Sequence, residues 1–350
     1  MKPAFPLVRV KTPLLFLAAL AVATLAVFAL SLLGQTTYSP DVWTRFPTAD
    51  RPLAELDAAA KIFWGERLPK TVLAALAGAA LALAGLTMQT LFRNDLATPY
   101  TLGIASGASF GATLSIQFSG TLAAVGVPSA LFGVPQVVWG AFVGAALAVG
   151  LVLALSRRAQ TPERVLLAGV ATGFFFSSLV LCQQYLANPT KAFAAIRWTT
   201  GGLLLCEPGY LATTAAVLAV ASFFLYRRSR ELDALTLGDE RALSLGVDVG
   251  RLRAALFLLS SALVAVVVAF CGPIGFVGLT VPHVARLCVG VERRRLIPAT
   301  LFLGALFLAV CHTFARIVLF PSVLPVGVVT SLLGAPFFLW LLLREPRRDR

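Results

Sequence analysis

Apolar residues run along this chain in long blocks separated by short polar segments. Blocks near 13–34, 69–91, 100–118, 134–156, 163–187, 208–226, 254–272, 297–319 and 325–343 have about the 20 residues that a helix needs to cross a hydrocarbon core. A shorter apolar block at 275–290 makes a tenth span. Burial in a soluble core does not account for so many runs of this length. The pattern predicts an all-α polytopic membrane protein of about ten transmembrane helices, forming one membrane domain over residues 1–350. The segment 188–207 is too polar and too short to span. It opens on Asn188-Pro189 and holds Trp198, Thr199, Thr200, Gly201 and Gly202, which fits a short re-entrant or interfacial helix on the outer side.

Composition agrees. Hydrophobic residues make up 58% of the chain and charged residues 13%, against about a quarter charged in soluble domains. The sixteen acidic residues all lie outside the interiors of the apolar blocks. Ion-driven transporters usually need acidic groups inside the membrane, so the energy for any transport is expected to come from elsewhere.

The net charge of +13 follows from topology. With the N-terminus inside and ten alternating spans, about 21 of the 29 Lys and Arg residues fall on the cytoplasmic side. Both termini are then inside, and no nucleic-acid partner is needed. The first block follows Lys2, Arg9 and Lys11 but is longer than a signal-peptide core of about 7–15 residues, so it reads as a retained helix. The phosphate-binding pattern G-x-x-x-x-G-K-[ST] is absent. The five cysteines form no C-x-x-C pair and read as buried packing; Cys206 and Cys271 both fall near the outer side. Small residues at 77–80, 82–85, Gly140, Gly144 and Gly150 suit close helix packing.

Four local patterns carry more. Arg67-Leu68-Pro69-Lys70 opens the second span on the outer side, with its two cations on one helix face. They read equally as membrane-interface anchors or as a pair that docks an acidic partner. Leu91 to Pro99, with Asn94, Asp95 and Leu96, is a tight inner loop before a glycine-rich helix start. Residues 235–249, LTLGDERALSLGVDV, form an amphipathic inner stretch. Asp239 and Glu240 suit a helix N-terminus. Ala242, Leu243 and Leu245 give an apolar side next to Arg241, and Gly246 is placed to end the helix. Such a helix fits a groove on a partner or the membrane surface. The fourth pattern runs from Gly272 to Arg286 and includes Gly275, Phe276, Gly278, Pro282 and His283. Its glycines and prolines break the backbone at membrane depth. His283 has no acidic or histidine neighbour in sequence, as is also true of His312, so a structural role is preferred and no metal site is expected.

Together these patterns resemble the FecCD-type family of iron-chelate and vitamin B12 importer permeases, which are type II ABC importers. The resemblance covers about 67–343. It rests on RLPKTVLAALAGAALALAGLTMQTLFRNDLATPYTLGIASGASFG, GPIGFVGLTVPHVAR and LPVGVVTSLLGAPFFLWLLL. It implies a homodimer in the cell (inner) membrane around a central path, with two ABC ATPase subunits below and a periplasmic or lipid-anchored substrate-binding protein above. The chain is then no enzyme and binds no cofactor; ATP-Mg sits on the partner ATPase. By the resemblance, Arg67, Lys70 and Arg316 receive glutamates of the binding protein. Lys70 stands where arginine is more usual and lacks its bidentate geometry. Asn94 and Leu96 match the cytoplasmic gate loop, with Asp95 where the B12 importer has proline. The 235–249 stretch matches the ATPase coupling segment. Pro162 and Glu163 depart from the small hydroxyl residues often found before the fifth span, so that gate is not carried over. The cargo implied is an iron chelate, with siderophore first and haem or cobalamin as alternatives. Two other classes compete: a secondary transporter, and an intramembrane hydrolase using Ser106 or Ser260 with His283 or His312.

Overall fold

The computed structural model describes residues 57–344 except 125–127, 132–133, 157–161, 204–205 and 320–321, together with 19–20, 22–26 and Pro47. Most of the expected first span and of the outer loop 35–66 lies outside the described residues, as do 345–350. The described chain is helical: α1 (Leu68–Phe92), α2 (Ile104–Gln117), α3 (Gln136–Ser156), α4 (Pro162–Leu186), α5 (Pro189–Thr199), α6 (Pro208–Arg227), α7 (Ser229–Thr236), α8 (Asp239–Ser244), α9 (Val249–Cys271), α10 (Val277–Val289), α11 (Arg293–Ile317) and α12 (Val326–Arg344). A two-residue ribbon pairs Ala130 with Pro135 and Leu131 with Val134. Among the described residues, six helices are long and apolar enough to cross a membrane, those of α1, α3, α4, α6, α9 and α11.

A helix lies within each stretch expected as the second to tenth span, though only six of these are long and apolar enough to cross, and two boundaries differ. Helical structure begins well before Pro69, at Ala58, and passes through a π-helical turn at Phe63–Arg67. Pro69 offers no N–H, so the regular bond to the preceding turn cannot form, and a widened turn accommodates the gap. The span expected at 100–118 is split. Pro99–Leu102 is a 3-10 turn closed by a reciprocal cap between Thr98 and Thr101, and Gly103, at φ 72°, starts the shorter α2. Residues 188–207 do hold a helix, α5, whose N-cap Asn188 accepts the Lys191 N–H at 3.0 Å.

The core is built by backbones in close contact. A Cβ on Gly78 would lie 2.2 Å from the Gly304 carbonyl oxygen, and one on Gly85 would lie 1.9 Å from that of Gly278. Helix α1 therefore sits against α11 and α10 with no side chains between them at these points. Gly107 and Gly111 of α2 meet Gly144 and Gly140 of α3 in the same way. Gly150, grouped with these by sequence, meets nothing within 4 Å. Most of α1 is buried, whereas α4 leaves Leu167, Phe174, Phe175 and Leu181 exposed and α12 leaves Leu332 and Leu339 exposed. All five cysteines are free thiols.

Candidate functional site

The chemistry-bearing residues collect at the two ends of the bundle and at one broken helix between them. At the outer end, Arg67 closes the π-helical turn and Lys70 lies on the first turn of α1. Arg316 lies in the last turn of α11, and its charge and that of Lys70 both reach His312. The three cations expected to act together are thus brought to one end by the packing of α1 on α11. Lys70 is not a bare charge: its Nζ donates to Glu66 Oε2 at 2.9 Å, across one helical turn. Pairing of adjacent acid and base at i and i+4 was visible in the spelling Glu66-Arg67-Leu68-Pro69-Lys70, but only a helix continuing upstream of Pro69 brings the two together.

The break between α9 and α10 follows from its residues. Gly272 leaves α9 at φ 67°, a conformation that side chains resist. Phe276 also sits at positive φ, 65°, as the N-cap of α10. The freed backbone groups find partners: the Ile274 N–H donates to the Tyr100 hydroxyl, and the Gly202 N–H donates to Cys271 O at 2.7 Å. The carbonyl of Gly201, just past α5, accepts the Gly327 N–H at 3.1 Å. Gly275, Phe276 and Gly278 line a cavity of about 270 Å³ with Thr98, Pro99 and Tyr100. The signature segment therefore faces the turn that follows the expected gate loop. Pro282 is buried inside α10, and His283 next to it is half-buried.

At the inner end, Arg93 caps α1 in the left-handed conformation, at φ 49°. Asn94 then closes an Asx turn, its Oδ1 accepting the Leu96 N–H at 2.9 Å, and the Leu96 side chain is exposed. Asp95 is tied down: Arg286 Nη1 of α10 donates to its Oδ1 at 2.7 Å, while Nη2 donates to Gln89 Oε1 of α1. The ion pair ties the loop to α10, although the Asp95 side chain itself is 69% exposed. Sequence reasoning missed this pair. A lone arginine near the end of an apolar block is the signal that could have found it.

The stretch 235–249 is not one helix. Leu235 and Thr236 end α7, Gly238 turns the chain at φ 112°, and α8 spans only Asp239 to Ser244. Glycine is needed at that φ, and Gly246, at φ 81°, ends α8 as its position suggested. The expected apolar side is divided: Ala242 is buried, whereas Leu243 and Leu245 are exposed. Asp239 and Glu240 lie in the first turn and Arg241 in the last. Asp239 Oδ1 receives Arg253 Nη2 at 2.9 Å and lies 3.5 Å from Arg93 Nη2, joining α8 to both α9 and the gate loop.

Between the gate loop, α7 and the α10–α11 turn lies an open cavity of about 780 Å³, whose lining includes Arg93, Asp95, Asp233, Arg286 and Arg293. Burial raises the Asp233 carboxyl above the ordinary carboxylate value, and the backbone N–H and charge of Arg293 oppose that rise.

No group of three or more His, Cys, Asp or Glu side chains that could hold a metal occurs among the described residues. The serines suggested for hydrolysis are engaged elsewhere. Ser106 accepts from Ser177 at 3.1 Å, and Ser260 donates to the carbonyls of Leu256 and Phe257 in its own helix.

Comparison with known proteins matches residues 14–344 to the model of the FecCD transport family. The hemin transport system permease protein of Yersinia pestis is 37% identical over 292 residues, which is 83% of this chain and 85% of that protein. The vitamin B12 import system permease protein of Klebsiella pneumoniae is 37% identical over 294 residues, covering 84% of this chain and 86% of that protein. A solved ABC transporter chain in an inward-facing conformation superposes with a TM-score of 0.79 at 28% identity, covering 95% of this chain and all of that one. A broken-helix core, basic residues at both ends and a match along nearly the whole length lead to one assignment: this chain belongs to the FecCD transport family, as a multi-pass permease subunit of an ABC transporter and not an enzyme.

Proposed function

We propose that this chain forms the translocation path of a binding-protein-dependent importer for an iron chelate. A ferric siderophore is the first choice of cargo, with haem and cobalamin as alternatives. The relatives that carry hemin, vitamin B12 and ferric dicitrate support a bulky chelate as the substrate class. Two copies enclose the path, each with ten spans and both termini inside the cell membrane. The exposed apolar faces of α4 and α12 suit contact with a second copy and with lipid.

A substrate-binding protein docks on Arg67, Lys70 and Arg316, and two ATPase subunits seat against α8 and carry ATP-Mg. The observation that carries this reading is the link from Asp239 to Arg93. It joins an exposed helix bearing Leu243 and Leu245 directly to the loop of Asn94 and Leu96. Closure of the ATPases on ATP moves α8, and the gate loop follows, exchanging outward- and inward-open states.

Vesicles holding the permease with its own ATPase and binding protein should accumulate radiolabelled ferric siderophore when ATP is supplied. Accumulation by the permease alone, driven by an ion gradient, would refute the reading.

A further inference from the structure

The 780 Å³ cavity at the inner end holds a group that the transport cycle described so far does not use. Arg293 opens α11 and is 8% exposed. Among the described residues its buried Nε and Nη1 have no hydrogen-bond partner. A guanidinium carries five N–H donors, and a buried donor left without an acceptor is costly even where nearby carboxylates answer its charge.

The acidic groups around it are engaged. Asp95 is bonded to Arg286, and Glu292 lies 3.2 Å from the Arg295 Nε. Asp233 spends Oδ1 on the Arg293 backbone N–H at 3.1 Å; its charge and that of Asp95 act on the Arg293 side chain, yet neither carboxylate accepts from Nε or Nη1. Arg286 adds a second buried Nε with no partner. The wall of the same cavity includes Leu237, Leu245 and Val291, which are 56%, 65% and 73% exposed. The cavity lining holds Arg93, Arg230, Arg286 and Arg293 against Asp95, Asp233 and Glu292; unfilled guanidinium donors behind apolar, solvent-facing residues fit one further carboxylate presented from an apolar surface.

We propose that an acidic side chain of the ATPase subunit enters this cavity and pairs with Arg293. The proposal rests on the reading of α8 as the ATPase-facing segment, because Leu245 is shared between that segment and the cavity wall. The ATPase is preferred to lipid because the cavity lies between the gate loop and α7, beside the helix that it is proposed to contact.

The test uses the full-length permease and its own ATPase in lipid nanodiscs. Arg293→Met should weaken ATPase association at least about tenfold, as loss of one partner of a buried charge pair does. The thermal midpoint of the isolated permease serves here as a check on folding alone, because Asp95 and Asp233 lose a counter-charge in this variant. Arg293→Lys should retain part of the association and serves if the Met variant does not fold.

Leu243→Glu serves as the control on α8. If it weakens association and both Arg293 variants leave it unchanged, the acidic contact is rejected and the reading of α8 stands. If none of the variants weakens association, the reading of α8 falls as well. Stabilisation of the isolated permease by inorganic phosphate or by phosphatidylglycerol, dependent on Arg293 and without effect on ATPase binding, would assign the guanidinium to an oxyanion instead and reject the ATPase contact.

Discussion

Arg93 Nη2 lies 3.5 Å from Asp239 Oδ1, and this contact joins the C-cap of α1 to the first residue of α8. Asp239→Asn removes the charge that holds both Arg93 and Arg253. Each of these half-exposed pairs contributes on the order of 1 kcal/mol or less, so the protein should still fold. The expected result is uptake lowered several-fold in vesicles while ATP hydrolysis by the complex continues. Equal loss of both activities would show that Asp239 acts on ATPase binding rather than on the gate.

At the other end, Glu66 holds Lys70 within the chain. Glu66→Gln frees that cation, and binding-protein association at low salt should become faster by a few-fold. The Arg67, Lys70 and Arg316 triple alanine variant should weaken association and leave membrane insertion intact. Surface plasmon resonance at two ionic strengths checks both, because the gain must shrink as salt screens it.

Tyr100 accepts the N–H of Ile274 inside the break that follows α9. Tyr100→Phe strands that donor, which costs about 1–3 kcal/mol. The thermal midpoint of the detergent-solubilised protein should fall, and Tyr100→Leu should give no rescue.

Two glycines of similar appearance should respond oppositely to substitution. A Cβ at Gly78 meets the Gly304 carbonyl at 2.2 Å, so Gly78→Ala must push α1 and α11 apart. Overpacking of this kind costs typically 1–3 kcal/mol. Gly150→Ala meets nothing within 4 Å and should leave the midpoint unchanged. Yield and thermal midpoint of both variants settle the comparison.

The apolar helices and their order were legible because lipid demands long apolar runs, and those runs are written openly in the chain. The three cations at the outer end were legible only through resemblance, since Arg316 lies 246 residues from Lys70 and only the seating of α11 on α1 brings them together. Residues 235–249 showed their amphipathic character but not the division at Gly238, because one glycine reads equally as a tolerated helix residue or a turn. The contact of Asp95 with Arg286 was hidden for a different reason. It joins a loop to a helix 191 residues away, and no local period records such a pairing. The burial of Arg293 was concealed among Arg293-Arg294-Arg295, where a run of three cations reads as a topology signal and gives no hint that one of them is buried.

Helix α1 starts beside the cations of the outer face and ends at Arg93, and in between it is clasped by backbone on two sides. Its 25 residues amount to a stiff rod of about 37 Å. Held at Gly78 by α11 and at Gly85 by α10, it can shift only together with them, so a displacement at Lys70 would reach Arg93 as rigid-body motion of packed helices. In the proposed importer, news of a visitor on one side of the membrane would cross to the other as the movement of one stiff body.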